Sequence, residues 1–215
     1  MGWELQSWLW LGFLGLSQIL GGAEANAKIT VRLYDYAGIS ETILTKAERE
    51  ASRIYSHSGV QVLWMQCAES SQQATRFKGC EPDGDVPGIY LSILNEEMEG
   101  RMRTSAGLSK ANAVPGFAVA GHAYVFLQRL LEICSNGRYP QDLILGVLMA
   151  HEVGHVLLGD NSHSPQGIMN AKLSPADLRL AQDRLLFFDA RQATRIKVRS
   201  VSPSIAILSQ PSQPK

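Results

Sequence analysis

Apolar and polar positions alternate over Ile29-Thr30-Val31-Arg32-Leu33-Tyr34, the period of a strand with one buried face. Ser40 and Thr42 offer capping oxygens for a helix over Ile43 to Ser56, which Gly59 stops, and Val60-Gln61-Val62-Leu63-Trp64-Met65 returns to a strand pattern. A strand, helix and strand in this order predict a parallel pair with a right-handed crossover. Ala68 to Pro87 is polar and carries the turn sequence Glu81-Pro82-Asp83-Gly84-Asp85. Gly88 to Leu94 and Gly121 to Leu127 predict two further strands. Past Pro140 the chain is almost wholly apolar from Asp142 to Ala150, as in a helix buried in a domain interior, and Gly159 is a natural stop for it. Ser174-Pro175-Ala176-Asp177 predicts the start of a last helix, with Leu178, Leu180, Ala181, Leu185 and Phe188 on its apolar side and its body packed beneath the preceding segment. These elements predict an α+β domain with a twisted mixed sheet of about four to five strands, a buried central helix and a C-terminal helix.

Three segments follow from composition. Ser7 to Leu20 is an apolar run shorter than the roughly 20 residues of a membrane-spanning helix. Ala25-Asn26-Ala27 supplies the small-x-small pattern of secretory cleavage, so residues 1–27 are expected to be a signal peptide, with Lys28 the first mature residue. Glu4 precedes the run where a Lys or Arg is usual, and an uncleaved membrane anchor is the alternative. Residues 28–199 form the expected domain, and 200–215, rich in Ser, Pro and Gln, a flexible tail. The expected location is secreted or periplasmic. Twenty basic and twenty acidic residues balance, which gives no electrostatic footprint for nucleic acid or an acidic membrane; a monomer with no stable membrane partner after cleavage is expected. Of Cys67, Cys80 and Cys134, the first two flank a short polar excursion and are the preferred disulfide, leaving Cys134 as a thiol.

The chemistry is concentrated in His151-Glu152-Val153-Gly154-His155. Histidines four apart project from one helix face, so both imidazoles reach one tetrahedral Zn²⁺, while Glu152 between them is placed to act as general base on water. A chance match in a chain of this length is roughly a one-per-cent event. Catalytic zinc usually takes three protein ligands, and no glutamate follows Glu152 anywhere in the sequence. His163 is then the best remaining donor, with Asp160 the runner-up.

At this point the chain resembles the metzincin clan of zinc peptidases, most closely the matrixins, through His151, Glu152, His155, Gly159, His163 and Met169, with Ser164 after the last histidine. Ala113-Val114-Pro115-Gly116 and Gly121 to Phe126 are similar to the edge-strand region that lines the substrate cleft in that clan. The resemblance implies a zincin-type domain, an apolar floor under the metal at Met169, and hydrolysis of peptide bonds in proteins or peptides. Gly159 stands one residue later, and His163 two residues later, than the family pattern has them. One extra helical residue turns the exit from the helix by roughly 100°, while eight residue steps from His155 reach roughly 26 Å at most. The loop therefore has the length to return His163 to the metal, by a different path.

Two rivals share these residues: a zinc amidohydrolase acting on a non-protein amide, and a non-catalytic exported zinc-binding domain. Intact Glu152 argues against the second, because a structural site needs no general base. His57, at a helix end, is expected to serve the helix dipole rather than chemistry, and His122 to be structural. The Cys80-Glu81-Pro82-Asp83 segment is read as half of a disulfide, and no pro-segment is expected between signal and first strand. An S1′ pocket would depend on the loop around Ala171 to Ser174.

Overall fold

A computed structural model describes residues 27–67, 80, 88–105, 116–119, 121–159 and 162–201. Residues 1–26 of the expected signal peptide, Asp160, Pro115 and residues 202–215 of the expected tail lie outside the described residues, whereas Ala27 opens the first strand and residues 200–201 end the last helix. The elements are β1 (Ala27–Asp35), α1 (Glu41–His57), β2 (Val60–Cys67), β3 (Ile89–Leu94), α2 (Glu96–Ser105), β4 (Gly116–Val119), β5 (His122–Phe126), α3 (Leu127–Cys134), α4 (Gln141–Leu158), α5 (Pro175–Gln182) and α6 (Ala190–Val201).

The strands form one mixed sheet in the order β2-β1-β3-β5-β4. β1 pairs in parallel with β2 and β3, and β3 with β5, while β4 runs antiparallel to β5 at the edge. The register places Val31 beside Trp64 and Ile89, and Leu91 beside Ala123. Val31, Leu33, Leu91, Ile93, Ala123 and Val125 are buried on one face, and helices α1 and α4 complete the core there. The other face carries Arg32, Tyr34, Tyr90, Ser92, His122 and Tyr124, which alternate with the core positions. The α+β class and the mixed sheet are as the hydrophobic pattern predicts.

α1 buries Leu44, Ala47, Ala51, Ile54 and Tyr55 along one stripe, whereas α4 is buried on nearly every side from Leu143 to Gly154. The two helices lie against each other at Gly146, where an added Cβ would stand 2.7 Å from the Ala47 carbonyl oxygen and 2.6 Å from Glu50 Cβ. Tyr55 Oη donates to the Ala150 carbonyl at 2.9 Å, which ties α1 to the turn of α4 that ends in His151. Pro140 precedes the first turn, Asp142 sits within it, and Gly159 ends the helix with its N–H on the His155 carbonyl.

Five expectations change. Ser40 occupies the N-cap position of α1 but makes no side-chain capping bond. α2, α3 and the short edge strand β4 are additional elements. Ser174 does cap a helix, with Asp177 reciprocating from N3, but that helix ends at Gln182 rather than continuing to Phe188. Arg184 takes a left-handed φ of 60°, held by Glu50, which pairs with its guanidinium, and by Arg53, whose Nη1 donates to its carbonyl at 2.9 Å. Leu180 and Leu185, expected on an apolar face, are exposed. A separate helix, α6, then packs against β1 and α4 through the buried Ile196.

Cys67 and Cys80 form the disulfide, and Cys134 is a buried thiol. Tyr34 Oη also bonds the Cys80 carbonyl, so the disulfide end of the excursion is docked on β1. Such bridges persist in oxidising compartments.

Candidate metal centre

The last two turns of α4 present His151 and His155 on one face, as the i, i+4 spacing requires. His163, from the segment beyond the helix, returns to them: the His155 and His163 ring centroids are 4.6 Å apart, and those of His151 and His163 5.6 Å. One donor atom from each of the three lies within 4.8 Å of the others. Burial decreases from His151 through His155 to the exposed His163, so the cluster opens to solvent on the side of the third ring.

Both helical imidazoles have their second nitrogen engaged. His151 Nδ1 lies 2.6 Å from the Ile168 carbonyl oxygen, which can only accept, so Nδ1 carries the proton and the neutral ring keeps a bare Nε2. His155 Nδ1 lies 2.7 Å from Ser162 Oγ. With Nδ1–H donating to that hydroxyl, its Nε2 is bare as well. The two Nε2 atoms stand 3.0 Å apart, and two lone pairs at that distance repel unless a positive charge joins them. Burial, which opposes the charged ring, pushes His151 down to about 4 and His155 to about 3, with the neighbouring histidines adding to the effect. Both rings are therefore neutral near pH 7, the form that ligates metal. Three neutral imidazoles and one side open to solvent fit Zn²⁺ with an accessible fourth position.

Glu152 is buried beside this cluster. Burial raises its carboxyl well above the usual carboxylate range, and Oε2 has no hydrogen-bond partner among the described residues. Gly116 of β4 presses on the same carboxyl, since a Cβ there would stand 2.5 Å from Glu152 Cδ. An unpartnered buried oxygen costs about 1 to 3 kcal/mol unless something in the working site satisfies it.

Met169 is fully buried behind α4, its Sδ 2.8 Å from where a Cβ on Gly154 would sit. The turn holding it is closed by Ser164 N–H on the Met169 carbonyl and Asn170 N–H on that of Gly167. The same turn presents the Ile168 carbonyl to His151, so the floor and the orientation of the first imidazole share one piece of backbone.

His57 and His122 are not in the cluster. His57 closes α1 and stacks on Phe187, with centroids 3.7 Å apart. His122 is stacked between Tyr90 and Tyr124 on the sheet face opposite the core, and burial lowers its pKa. Sequence reasoning missed the roles of Ser162 and the Ile168 carbonyl, and it placed Gly116 at the cleft edge without its contact to Glu152. Ser162 stands directly before His163, but only the folded path of the loop returns it to His155.

No protein-family model matches this chain, and no curated protein matches it. Among solved structures it is similar to the crystal structure of archaemetzincin from Methanopyrus kandleri, with a TM-score of 0.47 and 15% identity over 82% of this chain and 98% of that one. What the chain can do is decided by its own side chains rather than by that likeness.

Proposed function

We propose that this chain is an exported zinc-dependent endopeptidase of metzincin type, with His151, His155 and His163 as the metal ligands and Glu152 as the general base. The observation that carries the reading is the convergence of three imidazoles next to a buried glutamate with an unpartnered oxygen. The first apolar segment and the Cys67–Cys80 bridge support export.

Zinc, when bound, polarises the scissile carbonyl and makes water a nucleophile near neutral pH. The residues of the chain do the rest. Ile168 and Ser162 hold the two helical imidazoles by their Nδ1 atoms, so their Nε2 lone pairs stay aimed without reorganisation. Glu152 Oε2 accepts the proton of the attacking water and returns it to the leaving amine. Gly116 lets β4 pack directly against that carboxyl, and the burial that raises its pKa favours return of the proton to the leaving amine. Met169 supports the helix from below.

The test is hydrolysis of casein, a mixed peptide library and cell-wall fragments by the zinc-loaded mature chain, beside Glu152→Gln. Peptide cleavage should fall by roughly 10²-fold or more in the variant with zinc content unchanged. Undiminished cleavage by Glu152→Gln would remove the general base, and cleavage of cell-wall amides alone would move the substrate to non-protein amides.

A further inference from the structure

Seven residues separate His155 from His163, enough slack for the third imidazole to occupy many positions. The described backbone on either side of that connection is tied to one helix. Gln192, Arg195 and Arg199 lie three and four apart on α6, hence along one stripe, with Ile196 buried beside them. Gln192 Nε2 donates to the Ser162 carbonyl at 3.1 Å, Arg195 Nη2 to the Leu158 carbonyl at 2.7 Å, and Arg199 Nη1 to the Leu157 carbonyl at 2.8 Å.

Leu157 and Leu158 end α4, where carbonyls lack partners within the helix and the dipole is negative. Two guanidinium groups from a different helix satisfy them with charge-assisted bonds, while Gly159 N–H returns to His155. Gln192 is itself fixed by a capping box: its N–H donates to Asp189 Oδ1 at 2.8 Å, and its Oε1 accepts from the Asp189 N–H at 3.1 Å. The side-chain NH2 is thereby aimed at the Ser162 carbonyl. Ser162 in turn holds His155 and directly precedes His163.

We propose that α6 is a positioning clamp for the metal centre: Arg195 and Arg199 fix where the chain leaves α4, and Gln192 fixes where it returns, so that Ser162 and His163 are set against His155. This inference rests on the zinc reading above. The three α6 residues touch no reacting atom; they act through Ser162, His155 and His163.

Full-length Gln192→Glu keeps the acceptor for Asp189 N–H and replaces the donor to Ser162 by a carboxylate oxygen that repels its carbonyl, and thermal denaturation reads the cost of that charge to folding separately. The arginine pair is tested as Arg195→Ala with Arg199→Ala, and rescued by lysine at both positions. Zinc affinity is measured by chelator competition, the ligand field by the visible spectrum of the cobalt(II)-loaded chain, and folding by thermal denaturation without metal. Gln192→Glu and the alanine pair should each bind zinc roughly 10- to 100-fold more weakly and shift the cobalt spectrum, with lysine restoring most of the affinity. If the alanine pair does not fold, Arg199→Ala alone carries the same expectation. Variants that melt earlier but keep wild-type zinc affinity and cobalt spectrum overturn the clamp. If, in that case, His163→Ala still loses zinc, only the clamp fails; if the wild type binds no zinc, the metal reading fails with it.

Discussion

Gly154→Ala probes how tightly Met169 is coupled to the proposed metal ligands. In an ordinary helix the substitution would gain about 1 kcal/mol, since alanine loses less backbone freedom than glycine. Here the new Cβ would stand 2.8 Å from Met169 Sδ and 3.0 Å from Phe188 Cε1, both buried. Contacts this short force side chains from their wells at a typical cost of about 1 to 3 kcal/mol, so the expected net effect is a loss of about 1 kcal/mol. Met169 sits in the turn that also carries the Ile168 carbonyl, so displacing it should disturb the aim of His151 and lower zinc affinity as well. Two other helical glycines calibrate the estimate. At Gly100 in α2 an added Cβ meets nothing within 4 Å, and alanine should stabilise by about 1 kcal/mol. At Gly146 it meets the Ala47 backbone oxygen at 2.7 Å, which cannot rotate away, and the loss should be about 2 kcal/mol or more. Urea denaturation of the three variants, with chelator competition for zinc, reads both quantities. Equal stabilisation by Gly154→Ala and Gly100→Ala, with zinc affinity unchanged, would refute the coupling.

Further outcomes follow from burial and from the disulfide. Glu152 has a folded pKa raised above its unfolded value, so its contribution to metal-free stability is full at low pH and is lost as pH rises through the folded pKa. Metal-free Glu152→Gln should therefore gain on the wild type by up to about 1.4 kcal/mol per pH unit above the unfolded value near 4.5, read as a widening difference in urea midpoints; a constant difference between pH 5 and 8 would show that the carboxyl is not held in a desolvated place. Removing the Cys67–Cys80 bridge, whose cysteines are 13 apart, by serine at both positions should cost about 3 kcal/mol by loop entropy. Calorimetry showing no change in melting temperature would contradict that figure.

Helix α4 was legible because several local signals agree along it. Pro140, the apolar run and Gly159 mark its ends and burial, and the histidine spacing selects one face. The parallel strands were legible for a similar reason: Val31, Leu33, Leu91 and Ile93 repeat at the strand period between turn residues. β4 is four residues long, too short for a period to emerge. α3 follows β5 with no turn residue between them, so Leu127 reads as the end of a strand when it begins a helix. α5 ends at Gln182 for a tertiary reason, the grip of Glu50 and Arg53 on Arg184, which leaves no mark nearby in the sequence. α6 buries little besides Ile196 and Gln192, so its apolar stripe is thin, although Asp189-Ala190-Arg191-Gln192 spells a capping box that could have announced it. The three histidines and Glu152 were visible as types and spacings. Their supporting partners depend on where the loop after α4 comes to rest, which spacing alone does not determine.

The central claim is that three imidazoles, the third contributed by His163, hold one zinc ion. Metal analysis of the purified protein beside His151→Ala, His163→Ala and Asp160→Ala tests it most directly. The account predicts one zinc per chain in the wild type and in Asp160→Ala, and far less than one in both histidine variants. Full zinc in His163→Ala, or none in the wild type, would contradict it.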